Sequence, residues 1–131
     1  VKVLALDYGS ARTGVAVSDP SGVIARPLTT VERVGTSQGR ERLRALIAEE
    51  KPEQIVVGLP LTLRGERGEQ ARETESFVER LRELVNVPVA VFDERLTTVL
   101  AARTPSSAPE DALAAAHLLE SYLEWLSSRE G

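Results

Sequence analysis

The chain has 131 residues, enough for one ordinary domain to bury a core without disulfides or a structural metal. It contains no cysteine, which removes disulfide scaffolds, thiolate metal sites and a cysteine nucleophile, and which agrees with a reducing compartment. A formal charge of -4 argues mildly against a nucleic-acid surface but leaves room for a cluster of carboxylates, and the basic residues are nearly all arginine, a side chain suited to bidentate phosphate contacts.

Val1 to Leu6 reads as a buried strand that delivers Asp7 at its end. Asp7 interrupts the run too early for a signal peptide, and no stretch approaches the ~20 apolar residues that span a bilayer, so a soluble cytoplasmic protein without membrane contact is expected. A glycine-containing turn, Tyr8 to Gly14, leads to a second strand at Val15 to Ser18, stopped by Asp19-Pro20-Ser21-Gly22. Val23 to Val31 supplies a third, and the three are expected to form an antiparallel meander. From Gln38 to Glu50 the spacing of Leu43, Leu46 and Ile47 predicts a helix, ended by Lys51-Pro52. Ile55 to Val57 is a short strand closed by Gly58-Leu59-Pro60, which reads either as the point where a loop crosses toward a site or as a tight exit turn. The polar stretch Leu61 to Glu69, with Arg64, Gly65, Arg67 and Gly68, reads as an exposed loop.

A second helix is predicted from Gln70 to Val85, with Phe77, Val78, Leu81, Leu84 and Val85 on one face. Val87 to Phe92 is another strand, ending at Asp93-Glu94-Arg95. A short helix is expected through Ala102, broken at Thr104-Pro105-Ser106-Ser107. The last helix runs from Ala108 to Ser127, with Asp111, Ala114, Ala115, Leu118, Leu119, Tyr122 and Leu126 on its inward stripe. The alanines at Ala112 and Ala114 to Ala116 would let this helix approach a sheet closely, and His117 falls off the stripe. Three strands followed by helix-strand-helix-strand-helix predict an α/β fold, one domain over residues 1–131, with a mixed sheet covered on both faces.

Ligands of α/β sheets gather beyond the carboxyl ends of strands, and two strands here end in acid, at Asp7 and at Asp93-Glu94. Asp111, in the first turn of the last helix, joins them if that helix crosses the strand ends. Acids brought together repel unless a cation shares their charge, and hard oxygen ligands suit Mg²⁺ or Mn²⁺. Each acid also has a plainer role. Asp7 can form a turn with its own backbone, Glu94 can pair with Arg95 or a helix dipole, and Asp93 competes with Glu94 for the site. Asp111 follows a Ser107-Ala108-Pro109-Glu110 spacing that suits a capping box, where acids stabilise the helix dipole. Tyr8 reads equally as a site, core or rim residue.

Taken together, Asp7-Tyr8-Gly9 through Gly14-Val15-Ala16-Val17-Ser18-Asp19, Ile55-Val56-Val57-Gly58-Leu59-Pro60-Leu61, Asp93-Glu94-Arg95-Leu96-Thr97-Thr98, and Asp111 through Ala114-Ala115 to Glu120-Ser121-Tyr122-Leu123-Glu124 resemble the YqgF/RuvX family over nearly the whole chain. Any one segment is weakly diagnostic; four in order are specific. The resemblance implies a ribonuclease-H-like fold with a five-stranded sheet, and a nuclease that processes pre-16S ribosomal RNA or resolves Holliday junctions. It maps the family's metal-holding acids onto Asp7, Glu94 and Asp111, favouring Glu94 over Asp93. The chain departs from the family where Val99 to Glu110 is short, with only Arg103 basic, and where Leu100 replaces an acid.

These observations lead to an expectation of two-metal phosphodiester hydrolysis, with Asp7 bridging two Mg²⁺ or Mn²⁺ ions and Glu94 and Asp111 each holding one. Arg12, Arg64, Arg67 and Arg95 are the candidate phosphate contacts. The expected partner is nucleic acid, RNA of a ribosomal precursor ahead of branched DNA. Two other readings stand beside it. One is a sugar-kinase or actin-like ATPase, because Asp7-Tyr8-Gly9 to Gly14 also resembles a phosphate loop, although that fold needs two such domains. The other is a non-catalytic RNA- or ribosome-binding module.

Overall fold

A computed structural model describes residues 1–97 and 109–130. Strands β1 (Val3–Asp7), β2 (Arg12–Ser18) and β3 (Ala25–Glu32) are followed by helix α1 (Ser37–Glu50) and strand β4 (Gln54–Leu59). Helix α2 (Glu69–Leu84), strand β5 (Val89–Asp93), a 3₁₀ turn (Glu94–Leu96) and helix α3 (Glu110–Glu130) complete the order. The sheet has five strands in the order β3-β2-β1-β4-β5. The meander β1-β2-β3 is antiparallel, and β4 and β5 continue it in parallel with β1. The short helix expected through Ala102, the break at Thr104 to Ser107 and the capping Ser107 lie outside the described residues.

The apolar strands divide between two cores by their alternation. Leu4, Leu6, Val15, Val17, Ile55 and Val57 face α1 and α2, where Leu43, Ile47, Phe77, Val78 and Leu81 cover them. Val3, Ala5, Ala16, Val56 and Phe92 face the other way, onto α3. A strand buried on both faces has no position for a polar side chain, which is why β1 is apolar until it reaches Asp7. Tyr8 belongs to the first core: its ring stacks on Phe77 with centroids 4.6 Å apart, so it turns away from the α3 face.

Helix α3 lies on small residues. Its buried stripe is Ala112, Ala115, Ala116, Leu118, Leu119, Tyr122 and Leu123, while Ala114 is exposed and Leu126 is half-buried. The helix is therefore rotated from the predicted stripe. The unbroken apolar run 112–116 left the periodicity without a marker there, and contact with Ala5 and Ala16 decides which alanines turn inward. Gly14, expected in a turn, is a residue of β2 paired with Asp7. A Cβ built on Gly14 would stand 1.9 Å from the Asp111 carbonyl oxygen, so the first turn of α3 rests directly on the β2 backbone. Among the described residues no helix is long and apolar enough to cross a membrane.

Candidate active site

The carboxyl ends of β1, β4 and β5 share one edge of the sheet, since all three strands run parallel. Asp7 ends β1. In the alternation of that strand it follows Val3 and Ala5, and so projects to the α3 face. Glu94 opens the 3₁₀ turn after β5. Strand β4 lies between the two, so their backbones are two strand spacings apart, about 9–10 Å. They meet because the Glu94 side chain lies across β4 at Gly58. A Cβ built on Gly58 would be 2.7 Å from Glu94 Oε1 and 2.9 Å from its Cγ. The Asp7 and Glu94 carboxyl groups then share a hydrogen bond.

Asp93 goes elsewhere. Its carboxylate accepts the Arg95 backbone N–H at 2.9 Å, capping the 3₁₀ turn, and takes the Arg95 guanidinium through Nε at 3.0 Å and Nη2 at 2.6 Å. These bonds hold the Asp93 carboxyl below the usual carboxylate range. The pair of acids that competes in the sequence is thus separated by geometry: Asp93 serves its own backbone and Arg95, and Glu94 faces Asp7.

Asp111 stands close enough for its charge to act on Asp7, but its Oδ2 accepts a bond from Arg12 Nε at 3.0 Å. Arg12 opens β2 and is largely exposed. Burial pushes the Asp7 carboxyl up, reinforced by the Asp111 charge and offset by the bond with Glu94. Glu94 is pushed up to about 7, first by burial and then by the charge and hydrogen bond of Asp7. Two carboxyls in contact cannot both ionise cheaply, and one proton shared between them is the resting answer. Among the described residues no three acidic or histidine side chains form a ready metal cage, consistent with Asp111 being drawn to Arg12.

The other candidate arginines lie around this edge in different states. Arg95 is occupied by Asp93, and its guanidinium also covers Gly65, whose built Cβ would be 3.1 Å from Nη1. Arg67 pairs with Glu75 at 3.3 Å. Arg64 is exposed in a turn closed by the Gly65 N–H donating to the Thr62 carbonyl at 2.8 Å. His117 is half-buried on α3. Sequence reasoning missed the roles of Gly14 and Gly58. The available signal was a glycine inside a strand, which often marks the close approach of another group.

Known proteins resemble this arrangement over most of the chain. A family model described as RuvX, Holliday junction resolvase, matches residues 1–125. A Roseiflexus protein named "Putative pre-16S rRNA nuclease" is 47% identical over 102 residues, which is 78% of this chain and 72% of that one. A protein of the same name from Chloroflexus aggregans is 41% identical over 131 residues, covering 93% and 92% of the two chains. Among solved structures, "T. thermophilus RuvC in complex with Holliday junction substrate" aligns with a TM-score of 0.68 at 15% identity, over 98% of this chain and 96% of that one. A second, "Thermus thermophilus RuvC structure", gives 0.64 at 16% identity over 98% and 97%. At such identity the likeness shows the fold, which is ribonuclease-H-like. The match over residues 1–125 and the close relatives show more: the chain belongs to the RuvX family of nucleases, hydrolases of phosphodiester bonds.

Proposed function

We propose that residues 1–131 act as one nuclease domain that trims the 5′ end of pre-16S ribosomal RNA in the cytoplasm, using Mg²⁺ or Mn²⁺ held by Asp7, Glu94 and Asp111. The observation that carries this reading is the contact of Asp7 with Glu94 across β4, two acids whose affinity for a proton is raised first by burial, and then at Asp7 by the Asp111 charge and at Glu94 by Asp7. Such a pair is a poor structural device and a good cation site, because a divalent cation replaces the shared proton and removes the repulsion. The donor set is all oxygen, which fits these ions. The chemistry a bound cation supplies is activation of a water and neutralisation of charge on the phosphate.

The protein residues divide the remaining tasks. Asp7, at the end of a strand buried on both faces, is the fixed member. Glu94 would hold a cation in its ionised form, having lost the proton that its surroundings favour. Arg12 holds the Asp111 carboxylate at 3.0 Å and is largely exposed, so it could bind a substrate phosphate, and Asp111 would then be free to help hold a cation. Arg64 has an exposed place beside the same edge, and Arg67 and Arg95 join it when their carboxylate partners yield.

The test is cleavage of a 5′-extended 16S precursor RNA by the purified protein with Mn²⁺ or Mg²⁺, against an Asp7→Asn variant. Cleavage by the wild type and not by the variant is expected; equal activity in both refutes the reading. A Holliday-junction substrate is the second reading, favoured by the description of the matching family model. A four-way DNA junction in the same assay separates the two.

A further inference from the structure

We infer that Gly58 is the positioning residue for Glu94: the absence of a side chain at this one position of β4 lets the Glu94 carboxyl cross the strand and reach Asp7. The inference rests on the proposed role of Glu94 in the nuclease site. It is carried by distances independent of that role.

β5 is separated from β1 by β4, so an acid leaving β5 must pass over whatever β4 presents on the α3 face. Val56 fills that face one step earlier. At Gly58 the Glu94 Oε1, Cγ and Cδ would lie 2.7, 2.9 and 3.2 Å from a Cβ, all inside ordinary contact. The methyl group of an alanine would have to displace the carboxyl by ~0.5–1 Å to restore normal spacing.

The displacement must fall on the side chain. Glu94's backbone is fixed by the cap that Asp93 makes to the Arg95 N–H and by the Asp93–Arg95 ion pair. Arg95 is in turn backed by Gly65. Gly58 itself is buried in the sheet, paired with Phe92. It is not among the glycines with positive φ, so alanine fits its backbone. The fold therefore tolerates alanine at 58, and the carboxyl of Glu94 is the part that moves. A misplacement of ~1 Å at a catalytic group is enough for a loss of ~10²-fold in rate.

The experiment compares wild type, Gly58→Ala, Glu94→Gln and the double variant in RNA cleavage and in calorimetric titration with Mn²⁺ alone. For Gly58→Ala the expected result is kcat lower by ~10²-fold with KM for the RNA unchanged, Mn²⁺ affinity lower by ~10-fold or more, and Tm within ~3 °C of wild type. On the Glu94→Gln background the same change is expected to cost nothing further, because both act through one carboxyl. Wild-type kcat and Mn²⁺ affinity in Gly58→Ala overturn the inference while leaving the nuclease reading intact. Additive losses in the double variant also overturn it, by showing that Gly58 acts through something other than Glu94. A wild type that neither binds Mn²⁺ nor cleaves overturns the nuclease reading and this inference with it.

Discussion

Replacing Glu94 by glutamine should stabilise the metal-free protein above neutral pH, although it removes an acid from the site. The Glu94 carboxyl is raised from its ordinary 4.5 to about 7 in the folded chain. Below 4.5 it is protonated whether folded or not. Between 4.5 and about 7 the unfolded chain has released the proton and the folded chain retains it, so stability falls as pH rises through this window and is flat above it. That interval corresponds to at most ~3 kcal/mol, and partial solvent exposure of the group reduces it to roughly 1–2 kcal/mol. For a chain of this size the change is about 3–8 °C in Tm. The assay is thermal unfolding in chelator from pH 4.5 to 8.5 for wild type and Glu94→Gln. The difference between the two curves should open with rising pH in favour of the variant. Added Mn²⁺ at pH 8 should then raise the Tm of wild type and not that of Glu94→Gln. Parallel curves across the window would refute the account of a carboxyl raised by burial and by the neighbouring Asp7, and with it the reason for expecting a cation there.

Other outcomes follow from the same geometry. At the proposed cation site the Glu94 proton would have to leave, so Mn²⁺ affinity measured by calorimetry should rise with pH through about 7 and level off above it. Gly14→Ala places a methyl 1.9 Å from the Asp111 carbonyl oxygen, backbone against backbone, and should cost ~1–3 kcal/mol or more in urea unfolding together with most of the cleavage activity. Arg12→Ala removes an exposed ion pair, so Tm should stay within ~2 °C, while Mn²⁺ binding tightens as Asp111 is released and RNA binding weakens in a filter assay. Ser18→Ala should lose about 1–2 kcal/mol without changing kcat, because its buried hydroxyl accepts the Val3 N–H at 2.8 Å and donates to the Asp19 carbonyl at the far edge of the sheet from Asp7.

The parts of the fold legible in sequence are those set by solvent. β1 and β4 are apolar because both their faces are covered, and the acid that ends β1 stands out for the same reason. The paired faces of α1 and α2 are legible because leucine and phenylalanine recur there at helical spacing. The alanine run of α3 carries no such contrast, and its rotation is decided by the shape of the sheet beneath it. At the site, Asp93 and Glu94 are neighbours of one type, and only the local cap that Asp93 makes sends Glu94 inward. Asp111 is ambiguous in sequence because an acid at a helix start serves the dipole and a ligand equally well. The glycines at 14 and 58 were illegible as site features, since what crosses them arrives from distant parts of the chain.

The placement of α3 also sets an order of events in biosynthesis. β1, β2 and β3 are joined by local connections, and β4 and β5 extend the same sheet, so most of it can form from the chain up to Asp93. Asp111 arrives last, on a helix that must dock across strands made long before it. Until it docks, Val3, Ala5, Ala16, Val56 and Phe92 stand bare to water. A nascent or truncated chain without α3 therefore presents an apolar sheet face that favours aggregation. The helix that seals this core is the same one that brings Asp111 to the edge where Asp7 lies.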